Sequence, residues 1–340
     1  MGRAGQHVRA LTDMGVDMIG LNNTFFKAAQ AVALAVGLSA APALSADLDV
    51  PLADAPADDR FSIFGIPIGG ATFPERYVPS VTNPLFNESP FITSELRAIY
   101  FYHDVPDTFA AGLSAGGNVN VVALQARLKI TDNLALIATK DGYVWADFNG
   151  LPDENGFVNI AGGLKYAVYQ DKAAGDVLTV GLRYEGPVQE LSTAGVEFQA
   201  AGAGFINPFI TGVTELGGFQ LQGSLNGNFA IDGDAETSLF VAAAHVNYEL
   251  FENFYPLLEV NAYVPFNRGT RTGGALASIG GADVLNFGST DRDTLVTVGG
   301  GFRYRFNDNL IVGMAGEGAV ANREDSITNF RISFDAVFNF

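Results

Sequence analysis

An all-β fold, a single antiparallel transmembrane β-barrel of about 12 strands, is predicted by three features of this sequence. The first is its composition, which is 48% hydrophobic but only 16% charged, with 40 Gly and 27 Phe beside one Trp and no Cys. Soluble domains carry roughly 25% charged residues, and glycine-rich, aromatic-rich chains suit short strands joined by tight turns. The second is a period of two in hydrophobicity that runs through most of the chain after Thr93. The third is a regular alternation of short and long connections between the alternating runs. Beyond residue 46 no apolar window is long enough for a membrane helix, so a span would have to be made of strands closed into a cylinder.

In chain order, residues 1–46 read as an export signal. Lys27 precedes a small-residue apolar run, Ala28 to Leu44, and cleavage motifs follow at Ala41-Pro42-Ala43 and Leu44-Ser45-Ala46. The polar stretch before it is long, and a start at Met18 would give a signal of ordinary length. Residues 47–92 form a leader rich in Asp and Pro, from Asp47 and Pro51 to Pro84 and Pro90. Proline at this density cannot sit in a ladder. The leader is therefore either a mobile periplasmic tail or a plug folded into the barrel, the latter suggested by Phe61, Phe64, Tyr77 and Phe86.

Residues 93–340 are the barrel, with strands expected at 93–105, 118–131, 134–147, 156–170, 176–186, 196–213, 219–231, 237–251, 254–267, 294–307, 310–322 and 328–340. Alternate connections are short (Asp132-Asn133, Asp171 to Gly175, Thr214 to Gly218, Glu252-Asn253, Asp308-Asn309), whereas Arg268 to Asp293 is long. Short turns on one side and longer loops on the other are the habit of membrane barrels. The seventh strand sets Phe219, Leu221, Leu225, Phe229 and Ile231 against Gln220, Gln222, Ser224, Asn226 and Asn228. Lys140 with Asp141 in the third strand, and Pro208 in the sixth, predict a bulge or an early exit from the membrane. Aromatic pairs near strand ends, including Tyr100 and Tyr102, Tyr143 and Trp145, Tyr255, Tyr263 and Phe266, and Tyr304 and Phe306, predict two interfacial girdles.

The final strand puts Phe330, Ile332, Phe334, Ala336, Phe338 and Phe340 on one face and Asn329, Arg331, Ser333, Asp335 and Asn339 on the other. In this it resembles bacterial outer-membrane β-barrel proteins, whose last strand alternates aromatic and polar residues and stops at Phe. The resemblance implies residence in the outer membrane of a Gram-negative bacterium, contact with lipid and lipopolysaccharide, and recognition of the strand ending in Phe340 by the barrel-assembly machinery. The phrase Leu128-Lys129-Ile130-Thr131-Asp132-Asn133-Leu134, echoed at Tyr304 to Leu310, resembles a turn phrase of many barrel families. Among them is the barrel group associated with phenol meta-cleavage pathways, from which no substrate is carried over.

By strand parity the lumen receives Arg97, Arg127, Lys129, Lys165, Arg183, Arg303, Arg305 and Arg331, together with Glu95, Glu185, Glu249, Glu259, Glu317 and Asp335. In a narrow bore such groups either pair or line a wet path. Glu95 and Arg97 on the first strand can close against Arg331 and Asp335 on the last, while Arg303 and Arg305 have only Glu317 nearby in sequence and are the candidate constriction. A net charge of -18 argues against a nucleic-acid partner. No nucleotide, zinc or phosphate motif is present and no cofactor is expected; Asp232, Asp234 and Glu236 do not match a calcium loop.

The function expected is passage of a small solute through a narrow charged lumen, since twelve strands lie between the filled small barrels and the open porins. Two alternatives stand beside it: a structural or adhesive barrel, and a lipid-modifying enzyme built on His103, Asp104 and Ser114.

Overall fold

The structure, a computed structural model, describes residues 62–63, 66–67, 70, 72–107, 116–171, 173–272, 284–290, 294–321 and 326–340. The expected signal peptide and its start at Met18, most of residues 47–71, and Ser114 lie outside the described residues.

Twelve antiparallel strands form the wall. They are β1 (Glu95–Val105), β2 (Gly117–Lys129), β3 (Leu134–Lys140 continued by Tyr143–Phe148), β4 (Glu154–Phe157 continued by Ile160–Asp171), β5 (Asp176–Gly186), β6 (Phe205–Leu216), β7 (Phe219–Ala230), β8 (Ser238–Tyr248), β9 (Phe254–Asn267), β10 (Leu295–Arg305), β11 (Leu310–Ala321) and β12 (Phe330–Asn339). Each strand pairs with its sequence neighbours, and β1 pairs with both β2 and β12, so the sheet closes without a free edge.

Closure divides the side chains. Leu124, Leu182 and Leu258 are 51%, 53% and 51% exposed, whereas their neighbours Gln125, Arg183 and Glu259 are 3%, 1% and 1% exposed. A slip of one residue would turn every guanidinium to the outside, so the register is strongly specified. Among the described residues no helix is long and apolar enough to cross a membrane.

Several local expectations change. The sixth strand was expected over 196–213, but β6 begins at Phe205, and Val196–Gln199 instead pairs with Leu191–Thr193 in a hairpin outside the wall. Ala194 and Gly195, with φ of 51° and 79°, make that hairpin's tight turn, and Gly204, at φ 92°, separates it from β6. At its other end β6 runs on to Leu216, because Gly217 and Gly218 (φ 60° and 86°) supply the two positive φ values that a two-residue hairpin needs.

The third strand does carry a bulge: its register against β4 shifts between Ala138 and Lys140. Pro208 causes none. The ladder to β7 skips from Ile206↔Phe229 to Phe209↔Asn226 in unchanged register, while Pro208 still faces Leu182 of β5.

The girdles lose two members. Tyr255 and Tyr263 are 2% and 4% exposed and face inward, whereas Tyr100, Trp145, Phe266 and Phe306 remain on the outer surface.

Candidate functional site

Near the long loops one side of the interior is apolar: Ile99, Phe101, Val119, Val121, Val144 and Phe148 from β1 to β3 pack with Leu191, Phe198, Leu285, Phe287 and Ile327 from the loops. Near the short turns the interior is occupied by the chain itself, where polar wall side chains lie beside an apolar cluster that includes Phe73, Tyr77, Tyr255, Ile311 and Val337.

Residues 72–94 contain no strand, and from Tyr77 to Pro90 every residue is buried inside the wall. Pro74, Pro79, Pro84 and Pro90 keep this segment out of any ladder, so its buried carbonyls need other donors. Wall side chains supply them. Arg303 donates through Nε to the Pro79 carbonyl at 2.9 Å and through Nη2 to that of Ser80 at 2.6 Å, and Arg97 reaches the same Ser80 oxygen at 2.7 Å. Arg305 donates to the carbonyls of Pro74 (2.9 Å) and Tyr77 (2.5 Å). Further along, Ser224 binds the Phe86 carbonyl (2.8 Å), Thr211 that of Glu88 (2.7 Å), Lys165 that of Ser89 (2.8 Å) and Thr179 that of Pro90 (2.6 Å). The segment's amides are met in turn by Glu259, which accepts from Val81 N and Thr82 N at 2.7 Å each.

Buried ion pairs run along the interior. Asp335 is shared by Arg97, whose Nε donates at 2.6 Å, and Arg303, whose Nη2 donates at 2.8 Å. Glu88 of the segment is held by Arg127 and Lys165, and Arg127 also lies 3.4 Å from Glu95. Lys140 meets Glu185 at 2.5 Å, Arg331 meets Glu317 at 3.8 Å, and His245 Nδ1 lies 2.7 Å from Glu259.

Seven of the nine lumen and constriction residues named from the sequence fall into three clusters, and Arg305 and Lys129 lie apart from them. Arg97, Arg303 and Asp335 form one cluster, Glu95 and Arg127 a second, and Glu317 and Arg331 a third. Arg303 and Arg305 do not act as a pair: Arg303 is bound to Asp335, two strands away, and not to Glu317. The ladder sets Arg303 opposite Gly313 and Gly313 opposite Asp335, and a Cβ at Gly313 would meet the guanidinium at 2.7 Å, so glycine opens the path between them. Lys129 is not in the closed interior; it pairs with Asp132 in the adjoining turn at 2.6 Å and is 32% exposed.

Sequence parity missed Glu88, Lys140 and the His245 contact to Glu259. Glu88 was visible as the sole carboxylate between Glu75 and Glu95. Lys140 was hidden by the bulge, which turns it inward.

No family model matches the sequence, and no curated protein matches it either. Solved structures do match. An outer-membrane channel from Pseudomonas putida F1 superposes with a TM-score of 0.53 at 13% identity, covering 75% of this chain and 98% of that one. The fold is that of bacterial outer-membrane channels. The NanC porin (TM-score 0.44, 8% identity, 73% of this chain and 100% of that one) and the KdgM porin in complex with disordered oligogalacturonate (0.41, 11%, 72% and 99%) also match.

In an outer-membrane barrel the short-turn end faces the periplasm and the long loops face outward. Between the segment and the wall at the periplasmic end lies a cavity of about 250 Å³ lined by Pro74, Tyr77, Phe91, Gln220, Asn247 and Tyr255. At the outer end, His103 and Asp104 of the lipid-modifying alternative are described, whereas Ser114 lies outside the described residues. His103 accepts from Arg331 on Nδ1 at 3.0 Å and meets the Ile327 carbonyl through Nε2 at 3.0 Å.

Also at the outer rim, in the loop after β7, burial pushes the Glu236 carboxyl up from 4.5 to about 7, with Glu185 adding to the rise. Between those two values the folded state holds a proton that the unfolded state has lost, so stability falls as pH rises through this window. Glu236→Gln is expected to flatten the melting temperature across pH 4.5 to 7, read by circular dichroism in detergent.

Proposed function

We propose that this chain is an outer-membrane channel for a small solute, closed at rest by its own residues 73–94. One observation carries the reading: near the short turns the bore is filled by residues 73–94, a stretch outside every ladder of the wall, and not by inward side chains of the wall alone. A barrel that only needed to be solid could fill its interior with its own inward residues, as small barrels do. Here the polar wall instead meets the carbonyls and amides of a separate segment, groups that water can satisfy equally well once the segment leaves. The apolar cluster on the β1 to β3 side near the long loops favours a cargo with an apolar body, and the cavity at the periplasmic end offers it an exit. The terminal strand ending in Phe340 is proposed to direct assembly into the membrane.

Planar-bilayer conductance tests this. A chain lacking residues 73–92 is expected to conduct at least tenfold more than the full chain, with equal folding by heat-modifiable gel mobility. Equal current from the two would remove the gate. No current from either would favour the structural barrel.

A further inference from the structure

Glu88 occupies a site built for a carboxylate. Arg127 donates from Nε to Oε1 at 3.0 Å and from Nη2 to Oε2 at 2.7 Å, a parallel fork suited to a planar carboxylate. Lys165 Nζ adds a contact of 3.0 Å to Oε1. The three side chains are no more than 1% exposed. Arg127 and Lys165 belong to the wall, on β2 and β4, and Arg127 is oriented by a further bond to Gln125 Oε1 at 2.9 Å. The site is therefore complete without the segment; Glu88 is its occupant.

Two other observations show that this part of the wall calls for an anion. Among the described residues, the buried charged side chains of β2 to β5 are Arg127, Lys140, Lys165 and Arg183 against Glu185 alone. Register also sets Arg183 level with Arg127, through Ile137 and Gly163, and its buried Nε has no hydrogen-bond partner. When the segment moves, this region loses Glu88 and keeps all four cations, with Glu185, bound to Lys140, and Glu95 of β1, 3.4 Å from Arg127, as its remaining carboxylates. Beside it, Gln125 also lines a small cavity of about 30 Å³ walled by Leu85, Ile99, Phe101, Val121 and Val284 together with Thr139, Lys140 and Asp141. A charged fork adjoining partly apolar space suits a ligand with one acidic head and an apolar body.

We propose that Arg127 and Lys165 bind the carboxylate of a small, otherwise apolar organic acid, and that Glu88 is the internal ligand which holds this site while the channel is closed. This names a substrate class and rests on the channel reading above. Cargo and segment compete for the same two cations, so the cargo itself loosens the closure.

The chain has no cysteine, so Ser89→Cys introduces a lone thiol at a position 5% exposed. In the refolded full chain, benzoate is expected to raise its rate of maleimide labelling at least tenfold. Benzamide, of the same shape without the charge, and inorganic phosphate should leave the rate unchanged. Adding Arg127→Gln should abolish the benzoate response, and Lys165→Met provides the same test should that variant not fold. Equal acceleration by benzoate and benzamide, acceleration by phosphate, or no benzoate response with or without Glu88→Gln would each overturn the proposal. Flux into proteoliposomes separates the two readings. Labelling that responds to benzoate without benzoate flux removes the channel and keeps the site, whereas equal flux of benzoate and benzamide keeps the channel and removes the site.

Discussion

Asp335→Ala is expected to destabilise the barrel by about 3–5 kcal/mol, the usual cost of removing one partner from a buried ion pair. Asp335 is the shared carboxylate of Arg97 and Arg303, whose side chains are 4% and 0% exposed. Without it two neighbouring guanidiniums lose their counter-charge and repel each other. Both also donate to the Ser80 carbonyl, so the segment inside the bore should loosen along with the wall. Denaturant unfolding in detergent gives the first effect and proteolysis between residues 73 and 94 the second. Asp335→Asn keeps the shape without the charge and should fall between the two. A loss below about 1 kcal/mol would mean that these arginines are solvated.

Leu124→Arg is expected to cost about 2–4 kcal/mol, the range for a cation placed near the middle of a lipid-facing strand. Leu124 lies mid-way along β2 and is half exposed, three residues from Arg127, which lies inside and is 2% exposed. The same side chain is thus a structural requirement on one face of the strand and a defect on the other. Folding into vesicles of phosphatidylcholine measures the difference. A neutral outcome would place this face in water.

The wall was legible because its alternation is long and its errors are expensive. Gln220 to Asn228 could face only one way once Phe219 and Phe229 faced the other, and the pairing of Arg97 with Asp335 followed from closing the first strand on the last. The limits of the sixth strand were not legible, because Val196 to Gln199 alternates as well as any wall strand. The positive φ values at Ala194, Gly195, Ala200 and Gly204 break the chain on both sides of that stretch and keep it out of the barrel. Parity failed at Lys140 for a related reason, since one extra residue in a bulge reverses the face of everything beyond it.

The partner of Arg303 was hidden because sequence proximity favoured Glu317. The ladder decided otherwise by placing Asp335 level with Arg303 across a glycine. Residues 73–94 were the hardest part. Alternation has nothing to say about a segment without regular structure, and its fit to the wall depends on carbonyls, which every sequence has. The signal that went unread was Glu88, an isolated carboxylate among prolines, which the folded chain sets against Arg127 and Lys165.

A switchable cross-link tests most directly whether this segment closes the bore. Val81 packs in one cluster with Ala315 of β11, and the natural chain has no thiol to interfere. Val81→Cys with Ala315→Cys, placed in the loosened Glu88→Gln background, should form a disulfide, stay closed in a planar bilayer when oxidised, and conduct once a reductant is added. Two thiols that never join in the folded barrel, or a current that is the same before and after reduction, would contradict the account.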